Sequence, residues 1–235
     1  MPRRVSIFVT CVIDQLFPAV GLAMADVLER VGCEIDFREA QTCCGQPAFN
    51  SGFRDEAASV AKHFETVFAD AETIVVPSGS CASMIGHHYA ELLGQPESPF
   101  HGRIFEFSQF LTDELGIVDV GAKLSTVATY HDSCHSLREL HIKSGPRRLL
   151  AHVDGLELRE MTSAEECCGF GGTFSVKFAN VSGAMARTKI DAISKTGADT
   201  LISADASCLM QMRGAISRAG SPVRTMHLAE VLASR

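Results

Sequence analysis

The 235-residue chain has no surplus of positive charge: 21 Lys and Arg stand against 28 Asp and Glu, for a net charge of −7. Nucleic-acid binding over a broad face needs basic residues that displace counterions from phosphates, so this balance argues against a nucleic-acid partner. Lys143, Arg147 and Arg148 form the one notable basic cluster, and a solvated helix face is its simplest reading. Long apolar runs are missing too, which excludes a helical membrane span. The nearest candidate, Val5 to Ile13 behind Arg3 and Arg4, mimics an export signal but ends after nine residues at Asp14. Its Val-Ser-Ile-Phe-Val-Thr segment reads instead as a first buried strand. No flavin or nicotinamide fingerprint occurs, since Gly169-x-Gly171-Gly172 follows a cysteine pair. The expectation is a cytoplasmic globular protein, whose 46% hydrophobic residues suffice for one large domain or two small halves sharing a core.

Cysteine is abundant: nine in a chain of this size. Reducing thiol buffers in the cytoplasm make structural disulfides improbable, which leaves metal binding or redox chemistry as the leading explanation.

Eight of the nine fall into a repeat. Cys11, the pair Cys43-Cys44 before Gly45, and Cys81 recur in the same order as Cys134, Cys167-Cys168 before Gly169, and Cys208, at offsets of 123, 124 and 127 residues. Neighbours recur as well: Thr73-Ile74-Val75-Val76 with Ser80-Cys81 parallels Thr200-Leu201-Ile202-Ser203 with Ser207-Cys208. Cys33 faces Leu156 in the other copy and reads as a small apolar core residue. The halves divide near Gly116 to Gly121, giving residues 1–118 and 119–235.

Strand patterns at Val5 to Thr10, Glu34 to Phe37 and Thr73 to Pro77 alternate with helical patterns near Pro18 to Val31, Phe53 to Phe68 and Ala82 to Leu92. The second half has strands near Thr126 to Tyr130, Glu157 to Glu160, Thr200 to Ser203 and Val223 to Met226. Its helices lie near Pro146 to His152, Val181 to Lys195 and Leu209 to Arg218. Two pseudo-symmetric β-α-β-α-β halves follow, an α/β fold with mostly parallel sheets. Every cysteine position of the repeat lies just after a strand, so all belong at the carboxyl ends, where open α/β sheets hold ligands.

Four converging thiolates suit an iron–sulfur cluster or a tetrahedral zinc ion. Zinc sites usually draw on close C-x-x-C pairs. Here 31, 0 and 36 residues separate the cysteines of the first half and 32, 0 and 39 those of the second, which favours a cluster embedded in a fold. Gly45, Gly169, Gly171 and Gly172 let backbone N–H groups approach sulfur, and Ser78-Gly79-Ser80 and Ser207 stand at helix starts that favour negative charge.

These residues resemble the cysteine-rich CCG domain shared by heterodisulfide reductases and the iron–sulfur components of glycolate and anaerobic glycerol-3-phosphate oxidation. Longer strings narrow the resemblance to the lactate utilization protein A family: Cys43-Cys44-Gly45-Gln46-Pro47-Ala48, Pro77-Ser78-Gly79-Ser80-Cys81, Ser133-Cys134-His135, Cys167-Cys168-Gly169-Phe170-Gly171-Gly172-Thr173-Phe174-Ser175-Val176-Lys177 and Met226-His227-Leu228-Ala229-Glu230-Val231-Leu232. The resemblance covers the whole chain. It implies an electron-transfer subunit of an oxidoreductase complex that takes L-lactate to pyruvate, alongside a ferredoxin-like lactate utilization protein B and a third member, lactate utilization protein C. The broad CCG pattern closes with C-x-x-C, but Met84 and Gln211 stand at the last position here. One 4Fe-4S cluster per half, on Cys11, Cys43, Cys44 and Cys81 and on Cys134, Cys167, Cys168 and Cys208, is therefore expected over a five-thiolate cluster.

Three other readings stay open: a thiol/disulfide catalyst using the cysteine pairs, a structural zinc module, and iron in one half with zinc in the other. His131 and His135 flank Cys134 as candidates for a proton donor, a cluster ligand or a hydrogen-bonding neighbour, and hydrogen bonding or packing is the expectation. His87 and His88 read as surface residues and His63 as a half-buried helix residue, while Lys177 and Arg138 are candidate carboxylate partners. Nothing marks where lactate itself would react.

Overall fold

The computed structural model describes residues 2–235. The first half runs β1 (Arg3–Ile7), α1 (Cys11–Leu16), α2 (Pro18–Arg30), β2 (Cys33–Phe37), α3 (Gln46–Asn50), α4 (Arg54–Val67), β3 (Ile74–Val76), α5 (Gly79–Ser83), α6 (Tyr89–Leu93), β4 (Ile104–Glu106) and α7 (Phe107–Gln109). The second half runs β5 (Lys123–Tyr130), α8 (Cys134–Arg138), α9 (Ser144–Leu150), β6 (Asp154–Leu158), α10 (Thr173–Lys177), α11 (Ala179–Thr196), β7 (Thr200–Ser203), α12 (Ala206–Arg218), β8 (Arg224–His227) and α13 (Leu228–Ala233).

Each half holds one four-stranded sheet, and every strand pair is parallel. The orders are β2-β1-β3-β4 and β6-β5-β7-β8, so the second half repeats the topology of the first strand for strand. Apolar residues on the central strands explain this: Ile74, Val75 and Val76 on β3 and Leu201 and Ile202 on β7 are fully buried, as strands covered by helices on both faces require. Helices α6 and α11 stop at Gly94 and Gly197, whose positive φ of 64° and 66° supplies the left-handed turn.

The structure adds a fourth strand to the first half, which the sequence pattern read as three. Strand β4 spans three residues and gains its regularity from pairing with β3, a contact that no local pattern announces. The helix expected over Ala82 to Leu92 begins earlier, at Gly79, and passes through a π-helical turn at Met84–His88.

The two halves share a core. The largest apolar cluster joins Val5, Ile7, Met24 and Phe107 to Ala128, Ile202, Leu228 and Leu232. Helix α13 packs against α2 of the other half, where the Arg30 guanidinium donates to the carbonyls of Leu232 (3.1 Å) and Ala233 (2.9 Å). Cys33 is buried in this core, as its apolar counterpart Leu156 suggested. Among the described residues, no helix is long and apolar enough to cross a membrane.

Candidate metal centre

The eight repeated cysteines stand beyond the carboxyl ends of the parallel strands. Cys11 and Cys134 open α1 and α8 after β1 and β5, the pairs lie in the loops after β2 and β6, and Cys81 and Cys208 sit in the first turns of α5 and α12. In the first half Cys11 Sγ lies 3.5 Å from Cys43 Sγ and Cys44 Sγ lies 3.3 Å from Cys81 Sγ, with Cys43 and Cys44 also in contact. The second half repeats the chain of contacts from Cys134 to Cys167, Cys168 and Cys208. All eight are free thiols, and in each group the second member of the pair and the last cysteine are buried.

The backbone fits itself to the sulfurs. Gly45 and Gly169 take φ of +82° and +86°, and each donates its N–H to the first sulfur of its pair at 3.4 Å. A side chain at Gly169 would stand 2.8 Å from the Ser182 carbonyl, so glycine is also required sterically. Hydrogen bonding from Cys11 and Cys44, with the Gly45 N–H, holds Cys43 down to about 3. Cys134, Cys168 and the Gly169 N–H hold Cys167 down to about 2. Their partners Cys11 and Cys134 are pushed up. Each group thus keeps a thiolate among thiols, the form that binds metal.

Both groups line one cavity of about 410 Å³ between the halves, with Cys11, Cys44 and Cys81 on one side and Cys134, Cys167, Cys168 and Cys208 on the other. Phe170, Val176 and Val12 make much of its wall apolar. Four thiols per group, one of them poised as thiolate and supported by a backbone N–H, form a donor set that fits a thiolate-bound metal or iron–sulfur centre. The positions of a fifth cysteine do other work: Met84 is buried in the core, and the Gln211 amide donates to Ser182 Oγ at 2.9 Å.

Of the histidines, His135 is placed between the halves. The Gln46 amide donates to Ser80 O (3.2 Å) and lies 3.4 Å from His135 Nε2. His135 Nδ1 lies 3.5 Å from Cys134 Sγ, and its Nε2 lies 3.9 Å from Glu139 Oε1. His131 is fully buried, and neither ring nitrogen has a hydrogen-bond partner. Burial and the nearby Lys189 cation hold it down to about 3, so it is a neutral imidazole. Hydrogen bonding to other protein groups therefore does not describe it. His87 is exposed, and half-exposed His88 stacks on Phe49 at 4.9 Å. His63 is exposed, not half-buried, because α4 turns it away from Phe64 and Phe68 to meet Ala40 O at 2.8 Å. Lys177 and Arg138 are exposed and stand outside the cavity lining.

Arg147 departs from the solvated helix face expected of it. It makes a bidentate pair with buried Asp132 at 2.8 and 2.9 Å and a second with Glu160, and lies over the Tyr130 ring. It pins the turn that delivers Cys134. Asp205 is a residue that the cysteine pattern passes over. Buried, it caps α12 and accepts from Ser78 Oγ and Ser80 N–H at 3.2 Å each, tying the two cysteine-bearing turns together. An aspartate just after a strand and before a helix is a legible cap, but its reach across the halves is not.

The cysteine-rich domain (CCG) profile matches residues 5–86 and 128–213. Lactate utilization protein A of Geobacillus kaustophilus is 50% identical over 99% of this chain and 99% of its own length, and that of Bacillus cereus strain G9842 is 48% identical with the same coverage. Among solved structures, a hypothetical protein from Helicobacter pylori superposes with a TM-score of 0.62 at 11% identity. That alignment covers 99% of this chain and 48% of the other, a likeness of fold in which this chain spans about half of that protein.

Proposed function

The chain belongs to the cysteine-rich (CCG) domain family and, within it, to the lactate utilization protein A family, and from that premise we propose that it is an iron–sulfur electron carrier serving the oxidation of L-lactate to pyruvate. The observation that carries this reading is the meeting of seven of the eight repeated cysteines on one cavity, with Cys43 in contact with Cys11 behind it. Cys11, Cys43, Cys44 and Cys81 would hold one 4Fe-4S cluster, and Cys134, Cys167, Cys168 and Cys208 the other. When bound, such a cluster accepts and donates single electrons. Turning lactate into pyruvate releases two electrons and two protons, so two one-electron sites match its stoichiometry. Gly45 and Gly169 orient their sulfurs and spread thiolate charge onto backbone N–H groups. The apolar wall at Phe170 and Val176 limits water at the thiols.

This chain acts as one member of an oxidoreductase complex and takes lactate utilization proteins B and C as partners in the cytoplasm. Val176, which lines the cavity, and the neighbouring exposed Phe178 and Val181 are the face offered to the ferredoxin-like partner. The repeat units are residues 1–118 and 119–235.

A second reading has its own support. Sulfur separations of 3.3–3.5 Å lie near the edge of about 3.8 Å that a tetrahedron with Zn–S bonds of about 2.3 Å requires, which suits a single zinc ion. Iron, sulfide and zinc analysis of anoxically purified protein, with absorption and EPR spectra before and after reduction, separates the two. Brown, reducible protein with iron and sulfide supports the carrier, and zinc alone ends it. Lactate-dependent reduction of the complex with its ferredoxin-like partner tests the substrate independently.

A further inference from the structure

The slot at the end of the first strand is built alike in both halves and filled differently. His131 donates its backbone N–H to Ile202 O at 2.9 Å, and Phe8 donates the equivalent N–H to Val75 O at 3.0 Å. Phe8 packs its ring edge-on against Phe64 and Phe68, with centroids 5.0 and 5.9 Å away. His131 puts an imidazole in the matching place, fully buried, with both nitrogens unpartnered. A ring nitrogen of His131, Cys168 Sγ and Cys208 Sγ all lie within 4.8 Å of one another.

A buried polar group without a partner is unfavourable unless something not made of protein satisfies it. The groups in front of His131 are two buried sulfurs of the candidate centre. The nearby carbonyl of Ala164 is already engaged, accepting from Asp132 N–H at 3.2 Å and from Lys189 Nζ at 3.0 Å.

We propose that His131 is a nitrogen donor to the metal centre of the second half, joining Cys168 and Cys208, so that this centre is bound by nitrogen and sulfur while the first is bound by sulfur alone. This rests on the reading of the second half as a metal centre. It makes the two centres chemically unequal, since a neutral imidazole in place of a thiolate lowers the negative charge at the metal and raises its potential.

The test uses the full chain, reconstituted anoxically with iron and sulfide and grown with natural-abundance or 15N-labelled histidine. Pulsed EPR of the reduced protein is expected to show a directly coordinated nitrogen that changes with the label, persists in His135→Gln and vanishes in His131→Phe, the residue of the first half. Absence of that coupling from the unsubstituted protein, which needs no variant to fold, overturns the proposal and leaves the electron carrier standing. Its survival in folded His131→Phe does the same. If no cluster assembles, cobalt(II) added to the metal-free protein reads the donor set. Visible bands that shift in His131→Phe keep the nitrogen donor while the iron–sulfur reading falls, and unchanged bands overturn it.

Discussion

Around Cys44 and Cys81 the first half places Phe8, Phe64, Phe68 and Tyr89, an aromatic cluster in which the Tyr89 hydroxyl donates to Cys44 O at 3.1 Å. Around Cys168 and Cys208 the second half places His131 and Lys189, with aliphatic Leu201, Leu209 and Met212 in the wall. The sulfur groups are copies, but the first faces a neutral, low-dielectric wall and the second a neutral base beside a buried cation. An anionic centre is held more favourably in the second surrounding. Duplication has thus preserved what gathers sulfur and varied what tunes it. The same divergence runs behind the site, where Ser78 and Asp205 are equivalent caps joined to each other, and Glu106 and His227 cap α7 and α13.

The largest expected effect comes from separating the halves directly. Cys44→Ser should remove the metal of the first half and Cys168→Ser that of the second, each leaving the other half's spectrum in place. Metal and sulfide per chain and EPR check this, and loss of both centres from either variant would end the picture of two self-sufficient sites.

The caps Glu106 and His227 should oppose each other in pH. Burial raises the Glu106 carboxyl to about 7, so the folded chain keeps its proton longer than the unfolded chain, and stability falls as pH rises from about 4.5 to 7. Burial holds His227 down to about 4, so the unfolded chain binds the proton more readily and stability falls as pH drops from about 6.5 to 4. Each effect is about 3 kcal/mol by linkage. Glu106→Gln should flatten the high-pH side of a plot of thermal midpoint against pH, and His227→Gln the low-pH side. Unchanged flanks would refute the assignment.

Asp205→Ala should lower stability by about 2–3 kcal/mol, because it leaves donors at Ser78, Ser80 and Ser207 unanswered. Ser78→Ala, which loses the cap of α5, should lower it by about 1 kcal/mol. Urea unfolding that ranks them the other way would make Ser78 the senior partner of the pair. Of comparable size is the contrast of Gly79 with Ala206, each the first residue of its helix. A Cβ on Gly79 would meet Ser136 Oγ at 1.8 Å and Ser136 Cβ at 2.9 Å, so Gly79→Ala should destabilise by about 2 kcal/mol through overpacking of α5 on α8. Ala206→Gly should change stability by less than about 1 kcal/mol, also read by urea unfolding.

Much of the candidate metal centre was legible in the order of residues. The repeat of Cys11, Cys43-Cys44 and Cys81 as Cys134, Cys167-Cys168 and Cys208, each just after a strand, implied one rim per half, because parallel strands deliver their carboxyl ends together. Gly45 and Gly169 were readable as close-approach glycines. His131 was ambiguous, since a histidine three residues before a cysteine has the same sequence whether its nitrogens are satisfied or orphaned. Arg147 looked solvated because its partner Asp132 is fifteen residues away and belongs to another element. Strand β4 escaped because three residues carry too little periodicity to stand out.

The sequence by itself determined the duplication, the alternation of strand and helix and the eight sulfurs, since each is written in local pattern and spacing. Only the tertiary structure decided that the two sulfur groups share one cavity, that the halves share one core through α2 and α13, and that His131 faces Cys168 and Cys208 with nothing to bond. Those are contacts between residues distant along the chain, and burial, which makes an unpaired nitrogen consequential, exists only once the chain has closed around it.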